Sequence, residues 1–88
     1  FDYREYLHDY YQFHKRKNSA YSYRLFARKA KLGSPNYLKL VVDGKRRITD
    51  RTLYQFARGL GLNRDEEKYF RELVMYQEVS DPDSKELH

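Results

Sequence analysis

Five residues with capping side chains, Asp2, Ser22, Ser34, Thr49 and Asn63, each stand just ahead of an apolar run with helical spacing. A short polar side chain at such a point accepts from a backbone N–H two or three residues on and starts a helix. Gly44 and Gly61 close two of the runs, where a helix ends most easily in a left-handed residue. No stretch alternates apolar and polar residues as a half-buried strand does. A chain punctuated in this way is expected to be all-α, with five short helices.

The start signals fix approximate boundaries. Asp2 and Glu5 form a capping box, Phe1 and Tyr6 a hydrophobic staple, and Tyr3, Tyr6, Leu7, Tyr10 and Phe13 the first inward stripe. Ser22 caps the second helix, with Tyr21 and Phe26 as staple and Phe26, Ala27 and Ala30 inward. Two alanines on that face allow a neighbour to cross closely. Leu32-Gly33 reads as the next turn, Ser34 as a cap and Pro35 as the first residue of a third helix running to about Asp43. Leu38, Val41 and Val42 then face in, and Asn36, Tyr37, Lys39 and Leu40 face out. Thr49 caps the fourth helix, stapled by Ile48 and Leu53, with Leu53, Phe56, Ala57 and Leu60 inward. Asn63 and Glu66 box the fifth, which carries Tyr69, Phe70, Leu73, Val74 and Tyr76 to about Glu78. The four glycines are accounted for mainly by turns and helix ends. Residues 80–88 lack an apolar pattern and read as a tail or linker, so residues 1–79 form one domain.

Composition removes several functions. The chain has no cysteine, which excludes disulfides and a cysteine-ligated zinc site and fits a reducing cytoplasm. No apolar run has the length of a membrane span. His8 and His14 are too far out of phase on the first helix to hold one metal ion, and no metal or other cofactor is expected. No nucleophile stands in a catalytic constellation and no glycine-rich phosphate loop occurs, so the chain is not read as an enzyme. Ten tyrosines and five phenylalanines suit a thin core whose rings keep their hydroxyls wet. Charge is partitioned: residues 1–62 hold 14 Lys/Arg against 5 Asp/Glu, and residues 63–88 hold 4 against 8. A basic body with an acidic end is the footprint of a phosphate-binding surface.

Ser22 to Gly44 is two capped helices joined by a tight turn, a helix-turn-helix whose second helix is a candidate reader of the major groove. On this reading Asn36, Tyr37, Lys39 and Leu40 meet base edges, Asn36 through adenine and Lys39 through guanine. Ser22, Tyr23, Arg24, Arg28, Ser34, Lys45, Arg46 and Arg47 hold phosphates. The rival reading is a protein-interaction module in which Tyr37, Leu40 and the tyrosine-rich surfaces dock another protein or a further, C-terminal domain of the same protein.

The segment from Ser22 to about Leu62 resembles the Cro/C1-type (XRE-like, lambda-repressor-like) helix-turn-helix domain. The resemblance lies in Ser22-Tyr23-Arg24-Leu25-Phe26-Ala27, in Leu38, Val41 and Gly44-Lys45, and in Leu53-Tyr54-Gln55-Phe56-Ala57-Arg58-Gly59-Leu60-Gly61-Leu62. Tyr23 stands where that family has a phosphate-contacting Gln, Pro35 where it often has a base-contacting Gln, and Leu40 where it is often polar. The turn is one residue longer. The chain as a whole is similar to the N-terminal part of a bacterial family of transcriptional regulators of uncharacterised activity. That resemblance implies sequence-specific binding of double-stranded DNA, transcription regulation in the cytoplasm at the nucleoid, and a larger C-terminal domain beyond the tail. It also implies homodimers on paired half-sites, although the sequence itself shows no dimerisation motif.

Overall fold

In a computed structural model, which describes residues 2–80, the chain forms α1 (Tyr3–Lys17), α2 (Tyr23–Ala30), α3 (Tyr37–Val42), α4 (Asp50–Leu60) and α5 (Arg64–Ser80). No strand occurs among the described residues, and none of their helices is long and apolar enough to cross a membrane. The N-terminal half of the staple expected at Phe1, and the tail beyond residue 80, lie outside the described residues.

Each cap acts locally. Asp2 accepts from Arg4 N, Ser22 Oγ from Leu25 N, and Thr49 Oγ1 from Thr52 N, with Thr52 reciprocating. Asn63 and Glu66 close their capping box with two bonds of 2.8 Å. Of the box expected between Asp2 and Glu5 only the Asp2 half acts, its carboxylate held by the Arg4 and Glu5 backbone. Gln77 Nε2 donates to Asp2 as well, tying the start of α1 to the end of α5.

The core gathers Tyr3, Leu7, Tyr11, Phe26, Leu38, Val41, Phe56, Phe70 and Val74 from all five helices. α2 packs on α4 and α3, while α1 spans α3 and α5. Phe13 is not part of the inner stripe but half exposed; Tyr11 is buried instead. Tyr3, Leu7 and Tyr11 are spaced by four and share one face, and Phe13 lies nearly opposite Tyr11 on the helix. Tyr69 and Tyr76 also turn outward on α5, leaving Phe70 and Val74 as its buried residues. Val42 is only half buried, at the end of its short helix.

The connection from α2 to α3 departs from the sequence reading. The left-handed residue is Lys31 (φ 61°), not Gly33. Lys31 N donates to Arg28 O and Leu32 N to Ala27 O, a Schellman closure that returns Leu32 to the core edge. α3 begins two residues later than expected. Ser34-Pro35-Asn36-Tyr37 is a turn, with Tyr37 N donating to Ser34 O and Asn36 at φ −105°, ψ 13°. Proline in second place favours such a turn, so Ser34 opens a turn rather than capping a helix.

Gly59 also has a different role from the one expected of it. It lies inside α4, and a Cβ there would come within 2.8 Å of the Phe26 ring and 2.9 Å of Ala30 Cβ. It sets how closely α4 meets α2, the element that carries the turn.

Candidate nucleic-acid interface

α3 is short, and its position is set by what grips it. Leu38 and Val41 anchor it in the core. Gly44, at φ 78°, closes its far end, where Gly44 N donates to Val41 O and Lys45 N to Leu40 O. Arg4 reaches across from α1. Its Nη1 donates to Val41 O and, at 2.9 Å, to Arg46 O, and its Nη2 lies 3.5 Å from Glu78 Oε1. A guanidinium thus occupies the carbonyl end of α3, where a positive charge is favoured. Tyr3 Oη donates to Glu78 as well. Burial and that carboxylate push the Tyr3 hydroxyl well above its ordinary range, so it stays a donor.

Tyr37 was expected to face outward as a base contact. It is buried in the core instead, edge-on to Phe56. Its hydroxyl donates to Arg47 O at 2.8 Å, and the Arg46 guanidinium lies 4.2 Å above its ring. The apolar ring follows Leu38 inward because the helix starts at Tyr37, so that its first residue faces Phe56. Tyr37 therefore leaves the set of base-contacting candidates and becomes the post around which Lys45-Arg46-Arg47 is wrapped.

The remaining candidates divide by burial. Asn36 is exposed, and its side chain makes no cap bond to α3. Lys39, three residues on, is exposed and paired with Asp43 at 3.0 Å. That hydrogen bond, and the charge behind it, raises the Lys39 pKa and holds the cation on the outer face of α3. Leu40 is half buried rather than fully outward, and its carbonyl accepts from Lys45 N and Arg46 N.

Among the phosphate candidates, Ser22 Oγ is already the α2 cap. Tyr23 is half buried, its ring stacked on Tyr11 at 3.9 Å. Burial and Tyr11 raise its hydroxyl pKa, while Lys39 opposes the rise, which places the hydroxyl within the field of α3. Arg24 and Arg28 are exposed one turn apart on α2, and Lys45 and Arg46 are exposed after α3. Arg47 is half buried and Ser34 half buried in the turn.

The structure thus brings Arg46 and Arg47 together around Tyr37. Arg4 was missed by the sequence reading. Its partners stand 37, 42 and 74 residues away, and nothing local separates it from a solvated helix cation. No group of three or more acidic or histidine side chains among the described residues is placed to hold a metal ion.

Comparison of the chain with protein-family models, with curated proteins and with solved structures finds no match.

Proposed function

We propose that this five-helix domain is a Cro/C1-like helix-turn-helix that binds double-stranded DNA as part of a transcriptional regulator. The observation that carries the reading is the outer face of α3. Asn36 offers an exposed amide left uncommitted by the helix, and Lys39 follows it one turn later, also exposed. An amide suits the paired donor and acceptor of an adenine edge, and a lysine the acceptors of guanine. Lys45 and Arg46, held in place by Tyr37 and by Arg4 on the loop carbonyl, supply charge for the flanking phosphates. Arg24 and Arg28 add charge from α2. Base discrimination falls on Asn36 and Lys39, with Leu40 limited to an apolar contact at the margin.

Burial of Tyr37 favours this reading over docking through α3, because the aromatic anchor that a docking face needs is in the core. The test is fluorescence anisotropy on duplex DNA selected from a random pool. Lys39→Ala combined with Arg46→Ala is expected to weaken binding at least tenfold without changing the circular dichroism spectrum, and Asn36→Ala to relax the selected sequence at one position. Equal binding by the parent and the double variant at low salt would remove the proposed surface.

A further inference from the structure

A second surface lies on α1 and the start of α5. Tyr6, Leu62, Phe70 and Leu73 wall an open cleft of about 390 Å³, with Asp65 and Glu66 at its mouth. Burial and the Glu66 charge raise the Tyr6 hydroxyl pKa, so that carboxylate stands against the α1 wall. Two helical turns further along α1, on the same face as Tyr6, Phe13 is 48 % exposed. Lys17 Nζ sits 4.5 Å above the Phe13 ring, and Arg16 is exposed beside it.

These features complement one another: an apolar cleft with an acidic mouth, and an exposed ring carrying a cation. They share a helix face, separated by seven residues, or roughly 10 Å of rise. A patch that holds both a knob and its socket on one face is self-complementary, the requirement for an isologous contact.

We propose that this face joins two copies of the chain about a two-fold axis, with the α1 helices antiparallel and Phe13 of each copy seated in the cleft of the other. A dry apolar cavity of about 150 Å³ already accepts benzene, so the cleft has room for one phenylalanine ring. Lys17 travels with its ring and arrives beside Asp65 and Glu66. Opposite charges on ring and cleft, Lys17 over Phe13 against Asp65 and Glu66, favour this arrangement. The inference stands on this surface alone and does not depend on DNA binding.

Sedimentation equilibrium of the 88-residue chain over a concentration series tests it. A monomer–dimer equilibrium is expected. Phe13→Ser, at a half-exposed site that folding does not need, should raise the dissociation constant at least about tenfold, as for a central aromatic anchor. Lys17→Glu and Asp65→Lys should each weaken the dimer severalfold, and the two together should restore it. A chain that stays monomeric at about 1 mM overturns the proposal, because even a contact of ~4 kcal/mol would be seen there. So does a dimer indifferent to Phe13→Ser. Phenethylamine shifting the NMR signals of Tyr6 and Leu73 in a strictly monomeric chain would also overturn it, and would make the cleft a small-molecule site instead.

Discussion

Gly59 leaves no room for a side chain, because Phe26 is fully buried and its ring has nowhere to retreat. Alanine would gain about 1 kcal/mol of helix propensity. Forcing a methyl group into a packed interface costs about 1–3 kcal/mol, so the clash outweighs the gain. Gly59→Ala is expected to lower stability by up to about 2 kcal/mol in urea unfolding. Arg4 has the opposite character: what matters is what it reaches. Arg4→Met keeps the stem and removes the donors to Val41 O, Arg46 O and Glu78. Charge-assisted bonds at a site with side-chain exposures of 17 % and 16 % are worth about 2–3 kcal/mol together. Only the part of the loss that comes from the Arg4–Glu78 pair should be shared with Glu78→Gln in a double-mutant cycle, and amide exchange should rise at Lys45 and Arg46. If the two substitutions simply add, Arg4 and Glu78 do not act as one unit. Neither residue's role was legible in the sequence. A cation one residue into a helix and a glycine inside another look alike whether or not something distant meets them.

Four of the five helix starts were legible because a cap and its target lie two or three residues apart; the start of α3 was not. Ser22, Thr49 and Asn63 all act where the sequence puts them. Helix ends were legible where glycine takes the left-handed position, as at Gly44 and Gly61. The α2 end was not, because Leu32 has to return to the core and this forces the left-handed angles onto Lys31 whatever its side chain. Gly33 then drew attention two residues too late. A non-glycine residue in this region carries about 1–2 kcal/mol of strain. Lys31→Gly relieves it, and the larger unfolded-state entropy of glycine takes back about 0.5–1 kcal/mol. Its backbone carbonyl, which accepts from Gln55 Nε2 at 2.6 Å, is unchanged by the substitution. The variant should melt a few degrees higher, as a net gain of about 0.7 kcal/mol, the middle of that balance, does in a domain of this size. An unchanged or lower melting temperature would mean that the Lys31 side chain itself stabilises the turn. The candidate site was partly legible for the same reason. Asn36 and Lys39 follow from helix phase, whereas Tyr37 is claimed by the core through Phe56, Arg46 and Arg47, a demand visible only once α4 and the loop are in place.

Taken over the whole chain, charge separates the proposed interface from the rest of the surface. Lys39, Lys45 and Arg46 lie on α3 and the loop after it, whereas the acidic first turn of α5 belongs to a helix that packs on α4 and α1. Binding through phosphates releases counterions, and the logarithm of affinity falls with the logarithm of salt by about 0.9 per phosphate neutralised. Net charge alone predicts that removing any two cations weakens binding alike. A localised interface predicts otherwise. Lys45→Ala with Arg46→Ala should flatten the salt slope by roughly 2, because two phosphate contacts disappear. Arg64→Ala with Lys68→Ala removes the same formal charge from exposed sites on α5 and should leave the slope within experimental error of the parent. Exposed charges more than a Debye length apart, about 8 Å at physiological ionic strength, are largely screened from one another. Anisotropy titrations of one duplex between 50 and 200 mM salt, the range over which several phosphate contacts change affinity by about 10³-fold or more, separate the two cases. Equal flattening in both double variants would place DNA on a diffuse positive field rather than on α3 and its loop.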